Sequence, residues 1–207
     1  MPRPLRTDPD RDLVVSCQKE PEPGFQGAYR DMYGQYKDRV YNVCYRITGN
    51  ATDALDASQE TFGIVFRKIH GFRFESKFSS WVYRIAVNAS IDLKRRASSK
   101  SLASLDALQA GPGFDQNRSS EFCDEETEAP MAAASRHELE EEIQDAILRL
   151  SPKMRAITVL RYAESLSYEQ LSEALGISIG TVKSRLSRAH AALDRELSPV
   201  LDKHYLG

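Results

Sequence analysis

Residues 167–193 read SYEQLSEALGISIGTVKSRLSRAHAAL, and their order of polar caps, apolar spacing and glycine spells two helices joined by a tight turn. Ser167 with Gln170 three positions on fits a capping box that opens a short helix to Leu175. Gly176-Ile177-Ser178 makes the turn, and Ser178 caps a last helix that runs through Leu197. Leu171, Ala174, Leu175, Ile177, Val182 and Leu186 must then pack the two helices together as a helix-turn-helix. That leaves Thr181, Lys183, Ser184, Arg185, Ser187 and Arg188 facing outward. Arg and Lys pair with guanine edges or phosphates, and Ser or Thr bonds to either, so this face suits duplex DNA. A helical hairpin with a merely solvated basic face is the bland alternative. The combination of caps, turn glycine and basic second helix favours DNA.

Working toward the N-terminus, Leu139, Ile143, Ala146, Ile147 and Leu150 form a helical stripe. Its first turns are acidic (Glu138, Glu140, Glu141, Glu142), which suits the positive end of a helix dipole. Ser151-Pro152 is an N-cap with Pro in the first turn, opening a helix to about Tyr162. The prolines cluster before residue 25, at Pro112 and Pro130, at Pro152 and at Pro199, so two stretches are free to be helical, 25–97 and 138–197. Residues 98–137 between them are rich in Ser, Gly and acid and lack apolar periodicity, as a linker does. Within 98–128 seven acids from Asp106 to Glu128 oppose only Lys100 and Arg118. No strand signal appears, and the expected fold is all-α, as two small helical domains on a flexible acidic linker.

In the first stretch Phe25, Tyr29, Met32, Tyr36, Val40, Val43 and Ile47 keep helical spacing, ended by Gly49-Asn50. Thr52 or Asp53 is expected to cap a second helix with the stripe Leu55, Ser58, Phe62, Val65 and Ile69. After the aromatic segment FRFESKF (72–78), Ser79 or Ser80 is expected to cap a third helix to Arg96. Thirteen aromatic residues lie between Phe25 and Tyr83, most of them core candidates. Phe74, Phe78 and Tyr83, interleaved with Arg73, Lys77 and Arg84, also offer what single-stranded DNA requires, rings for stacking and cations for phosphate. Trp81 fits core and platform equally. Between Ile64 and Arg96 eight basic residues face two acidic ones, a net +6. The whole-chain charge of -2 over 207 residues therefore does not exclude nucleic acid, because binding depends on where charge sits.

Cys17, Cys44 and Cys123 are widely spaced and lack CxxC or His partners, which argues against a disulfide framework or zinc, and Cys44 reads as a small buried residue. No run is long and apolar enough to span a membrane, and the start MPRPLRTDPDRDL has no apolar signal core, so a cytoplasmic protein is expected. Glycine-rich phosphate loops, HExxH and GxSxG are missing, the four histidines are scattered, and His190 reads as solvated or phosphate-facing. No enzyme, cofactor or metal is expected.

Three segments in order, DALDASQETF (53–62), FESKFSSWVYRIAVN (74–88) and GISIGTVKSRLSRAHAAL (176–193), resemble the bacterial RNA polymerase sigma factors of the extracytoplasmic-function (ECF) type. The resemblance implies an N-terminal extension (1–24), sigma region 2 (25–97), a linker (98–137), sigma region 4 (138–197) and a short tail (198–207). It implies a subunit that binds core RNA polymerase, through the clamp coiled coil of the largest subunit and the flap of the second largest, and directs transcription of a stress or envelope-response regulon. Asp53, Asp56, Gln59, Glu60 and Phe62 would dock on the clamp. Lys77, Phe78, Trp81, Tyr83, Arg84, Asn88, Lys94, Arg95 and Arg96 would meet the minus-ten element, with one base flipped out near Asn88. Thr181, Lys183, Ser184, Arg185, Ser187 and Arg188 would read the minus-thirty-five element, where Ser187 departs from the His or aromatic frequent in the family. The acidic linker would thread the polymerase RNA path, an anti-sigma factor would hold the protein inactive, and the holoenzyme would sit at the nucleoid. The competing reading is a helix-turn-helix regulator that binds duplex DNA as a dimer without polymerase.

Overall fold

The computed structural model describes residues 8–20, 27–105 and 130–205, with side chains described outside 98–105, 130–137 and 201–205. Eight α-helices follow in order, α1 (Arg11–Lys19), α2 (Ala28–Thr48), α3 (Ala51–Lys68), α4 (Phe78–Leu105), α5 (Pro130–Arg149), α6 (Pro152–Tyr162), α7 (Tyr168–Leu175) and α8 (Ile179–Tyr205), with a 3-10 turn at Ile69–Gly71. No strand occurs among the described residues. The expected acidic linker residues 106–129 and Cys123 lie outside them.

Helix ends follow local chemistry, with corrections. Gly49 takes the left-handed conformation (φ 84°) that ends α2 and donates its N–H to the Tyr45 carbonyl at 2.8 Å. A side chain is excluded there twice, by φ and because a Cβ would lie 2.7 Å from Leu148 Cδ1. Asn50, and not Thr52 or Asp53, caps α3: its Oδ1 accepts from the Asp53 N–H at 2.8 Å while its Nδ2 donates to Asp53 Oδ2 at 2.8 Å. One extended residue after Gly49 suffices to start the next helix. Nor does Ser79 or Ser80 open α4. The Phe78 N–H donates to Asp8 Oδ2 at 2.7 Å, and the Ser80 hydroxyl is buried without a partner.

Asp8 belongs to the N-terminal extension, which the sequence left unassigned. Its helix α1 buries Val14 and Cys17 and packs on α2. Asp10 accepts from the Tyr36 hydroxyl at 2.5 Å, Gln18 Nε2 donates to the carbonyls of Ile69 and Phe72, and Glu20 Oε1 accepts from the Ala28 N–H at the start of α2. Residues 8–20 are thus an integral layer of the first module.

Three helices outrun their expected ends. α4 continues past Arg96 to Leu105, and α5 begins at Pro130, so helix occupies both ends of the expected linker. Nothing in SSKSLASL stops a helix, since the next glycine is Gly111. α8 passes through Pro199 to Tyr205, with the Ser198 hydroxyl bonding back to the Asp194 carbonyl at 2.7 Å.

The first module is a bundle of α2, α3 and α4 with α1 against α2, and in the second α8 packs on α5, α6 and α7. The modules also touch: α2 meets α5 and α6, and α4 meets α6 and α7. The buried apolar residues of both form one contiguous cluster, from Val14 to Leu186. One expected stripe member is corrected. Leu55 is 51% exposed, because the neighbouring helices cover α3 at Ala54, Ala57, Ser58 and Thr61.

Candidate nucleic-acid and partner-binding surfaces

The helix-turn-helix forms as its residues require. Ser167 and Gln170 complete the reciprocal capping box, with Gln170 N–H to Ser167 Oγ at 3.2 Å and Ser167 N–H to Gln170 Oε1 at 2.9 Å. Gly176 supplies the left-handed turn (φ 63°), and Ser178 Oγ accepts from the Thr181 N–H at 3.1 Å. Leu171, Ala174, Val182, Leu186 and Ala189 are buried between the helices. Lys183, Ser184, Ser187 and Arg188 are exposed, while Thr181 and Arg185 are half-buried. The Thr181 hydroxyl bonds Ser178 Oγ at 2.9 Å, and Arg188 Nε lies over its own helix on the Ser184 carbonyl at 3.2 Å. His190 is exposed, as expected of a solvated residue, and also pairs with the Tyr162 hydroxyl at 2.6 Å.

A cleft of about 740 Å³ opens beside the start of α4, lined by Arg67, Lys68, Gly71, Phe72, Arg73, Glu75, Ser76, Trp81 and Arg84 of the first module and by Glu173 of α7 in the second. It combines cations with a half-exposed indole, the pairing that single strands need. Trp81 stacks obliquely on Phe72 (5.2 Å) and Phe78 (5.7 Å), which holds its ring at the wall. Two expected stacking residues are corrected. Phe78 is fully buried against Tyr36 and Phe72, and Tyr83 is 2% exposed with its hydroxyl donating to Glu164. Burial pushes the Tyr83 phenol well above its usual range, and burial likewise raises the Glu164 carboxyl. Phe74, at φ 56°, is packed between Phe72 and the Arg11 guanidinium. Lys77 is half-buried; Arg84 and Asn88 are exposed; farther along α4, Arg95 and Arg96 are exposed and Lys94 is half-buried. Arg67 and Lys68 figure in the sequence only as charge and Arg73 as a phosphate cation beside the aromatic segment; the turn at Ile69–Gly71, where the stop of the second helix is expected at His70-Gly71, brings all three to the cleft.

On α3, Asp56 and Gln59 are exposed and Glu60 is half-buried. Asp53 is occupied, by Asn50 and by Lys94 at 3.4 Å. Phe62, expected on the surface, is 5% exposed beneath Tyr33 (ring centroids 4.8 Å apart), so Tyr33 and Leu55 supply the apolar surface beside Asp56. Tyr33 lies four positions after Tyr29 and three before Tyr36, the spacing of the buried stripe itself, so no local signal marked it as exposed.

The models of Sigma-70 region 2 and Sigma-70 region 4 match residues 32–100 and 140–193. The chain is 38% identical over 185 residues to the ECF RNA polymerase sigma factor SigW of Bacillus subtilis, covering 89% of this chain and 97% of that protein. The chain belongs to the ECF sigma factor family. It is a sigma factor, a subunit that binds core RNA polymerase and promoter DNA and directs transcription initiation. It is also 33% identical over 178 residues to ECF sigma factor SigE of Mycolicibacterium smegmatis, covering 86% of this chain and 63% of that longer protein. Among solved structures, the sigma factor RpoE from Bartonella quintana, in complex with the anti-sigma factor NepR, has a similar fold (TM-score 0.60, 20% identity, 82% of this chain and 96% of that one). The α3 surface and the whole cleft lining except Glu173 accordingly lie in region 2, and the helix-turn-helix lies in region 4.

Proposed function

We propose a division of labour among these surfaces. Residues 25–97, with 8–20 packed on them, form the unit that docks on core polymerase and opens the minus-ten element; 138–197 form the unit that reads the minus-thirty-five element; 98–137 connect them and 198–207 are a tail. Asp56, Gln59 and Glu60 with Tyr33 and Leu55 present acid and apolar surface to a basic clamp helix. Lys183, Ser184, Ser187 and Arg188 reach base edges and phosphates, with Thr181 and Arg185 positioned at the rim. Trp81, over the cations Arg67, Arg73 and Arg84, receives a flipped base of the non-template strand. Asn88, Lys94, Arg95 and Arg96 extend the path along α4. Opening the duplex draws on stacking and phosphate contacts and needs no chemical step of the chain's own, so the protein works in the cytoplasm as a specificity subunit and not as an enzyme. An anti-sigma factor is the proposed negative regulator, in keeping with the partner in the RpoE structure.

The observation that carries this reading is the presence in one chain of two separate nucleic-acid surfaces, a capped helix-turn-helix with a free polar face and a basic cleft walled by tryptophan. Mixed with core polymerase, the protein is expected to co-elute and to support promoter-dependent transcription. Asp56→Arg should weaken that association with the fold intact by circular dichroism, and unchanged affinity would remove α3 from the docking site. Arg188→Ala is expected to cost about 1 to 3 kcal/mol of minus-thirty-five discrimination if its guanidinium meets a base edge. Tight duplex binding without any association with core would favour the stand-alone regulator.

A further inference from the structure

The loop between the turn at Ile69–Gly71 and the start of α4 walls the cleft with Phe72, Arg73, Glu75 and Ser76. Among the described residues the backbone of 73–76 enters no hydrogen bond, so nothing within the loop fixes its shape. It is held instead by residues 8–18, which precede the stretch matching Sigma-70 region 2, since that stretch begins at residue 32. At the loop's entry, Gln18 Nε2 donates to the carbonyls of Ile69 at 2.8 Å and Phe72 at 2.9 Å. In its middle, the Arg11 guanidinium lies 4.5 Å over the Phe74 ring, whose edge meets Phe72 at 5.0 Å. Phe74 keeps φ 56°, a left-handed conformation that bulky residues hold only where their surroundings enforce it. At the loop's exit, Asp8 Oδ2 accepts from the Phe78 N–H at 2.7 Å, while Asp8 Oδ1 accepts from the Asp10 N–H at 3.1 Å and so ties the carboxylate to the start of α1.

We infer that the N-terminal segment 8–20 is a strap that sets base choice in the minus-ten element, with Gln18, Arg11 and Asp8 as positioning residues for the loop that receives the flipped base. The inference rests on placing that base in the cleft beside Trp81. Stacking on an indole tolerates every base, so choice between bases falls to polar groups that meet the base edge. The N–H and C=O groups of 73–76, which have no partner among the described residues, stand at the cleft wall to do so. Hydrogen bonds weaken steeply with distance and angle, so those groups discriminate only if their positions are fixed before the base arrives. The strap divides its contacts accordingly. Val14 and Cys17 are buried, and Asp10 accepts from the Tyr36 hydroxyl, which anchors α1 on α2. Asp8, Arg11 and Gln18 turn to the loop, one at each end and one in the middle.

The test uses the full chain in holoenzyme and a promoter that it transcribes, remade with each of the four bases in turn at every minus-ten position. The measured quantity is the ratio of open-complex yield between the best and the worst base at the most selective position. That ratio does not depend on how much of the protein is folded, so a loss of stability alone leaves it in place. Gln18→Glu keeps the shape of the side chain and removes its donors; it should narrow the ratio about tenfold, as the loss of two hydrogen bonds allows, with affinity for core unchanged. Arg11 is exposed, so Arg11→Ala carries no burial cost and decides the matter if Gln18→Glu does not fold. It should also narrow the ratio, and Arg11→Lys, which keeps a cation over the Phe74 ring, should restore it. A native ratio in the folded Gln18 and Arg11→Ala variants would overturn the inference. Trp81→Ala separates the two failures. If it lowers the yield on every template while the strap variants keep the native ratio, only the strap falls; if it opens promoters normally, the cleft was misplaced and the strap falls with it.

Discussion

Phe78 and Trp81 sit three positions apart on α4, touch each other, and have opposite fates. Phe78 points into the bundle toward Tyr36, while Trp81 leans out to the cleft wall. Replacing Phe78 by Ala is therefore expected to cost about 3 to 5 kcal/mol of unfolding free energy, as other buried phenylalanines do. Trp81→Ala should cost less stability but about 1 to 3 kcal/mol of affinity for the unpaired minus-ten strand. Denaturant titration and anisotropy of a labelled single strand in the holoenzyme separate the two. Equal destabilisation, or undiminished strand binding by the Trp81 variant, would contradict the assignment. The sequence identified both rings as candidates for stacking but could not orient them, because seven aromatic residues from Phe62 to Tyr83 all satisfy the same composition rule. Leu55 and Phe62 exchange places for a related reason: both fit one stripe, and only the packing of α2 and α4 against α3 says which side is covered.

At the scale of elements, what lies close along the chain was legible. The capping box of α7, the glycine end of α2, the Ser178 cap of α8 and the proline start of α6 each depend on residues within four positions of one another. Helix α1 was missed because prolines crowd its surroundings, although Val14 and Cys17 keep helical spacing. The start of α4 could not be read at all, since its N-terminal acceptor is Asp8, 70 positions earlier. Asp8→Ala would leave the buried Phe78 N–H without a partner, so a loss of about 1 to 3 kcal/mol is expected in thermal or urea unfolding. No change in stability would mean that water replaces the carboxylate there. Restoration by Asp8→Asn, which keeps an acceptor oxygen, would tie the loss to this bond.

The molecule as a whole shows its joint core when titrated with base. Cys17 and Cys44, one on α1 and one on α2, are both pushed up to about 11 from 9.0, chiefly by burial. Because these groups hold their protons more tightly in the folded chain, their contribution is complete below pH 9 and is lost as pH rises from 9 through 11. Burial also raises Tyr36 and Tyr83, which extends the same trend to higher pH. The urea midpoint should accordingly hold between pH 7 and 8 and fall beyond 9, and a Cys44→Ala chain should fall less steeply over that window. A midpoint independent of pH up to 11 would show that these thiols are hydrated in the folded chain.

The sequence by itself determined the all-helical class, the helix-turn-helix with its outward Lys and Arg, the basic character of the stretch from Ile64 to Arg96, and, through three ordered segments, the family. These follow from spacing, capping and local charge, which act over a few residues. Tertiary structure alone decided which aromatic rings are buried, that residues 8–20 complete region 2, that Tyr33 and Leu55 flank Asp56, and that Gln18 and Asp8 hold the two ends of the loop at the cleft. Each of those depends on contacts between positions tens of residues apart, where periodicity carries no information about partner or distance.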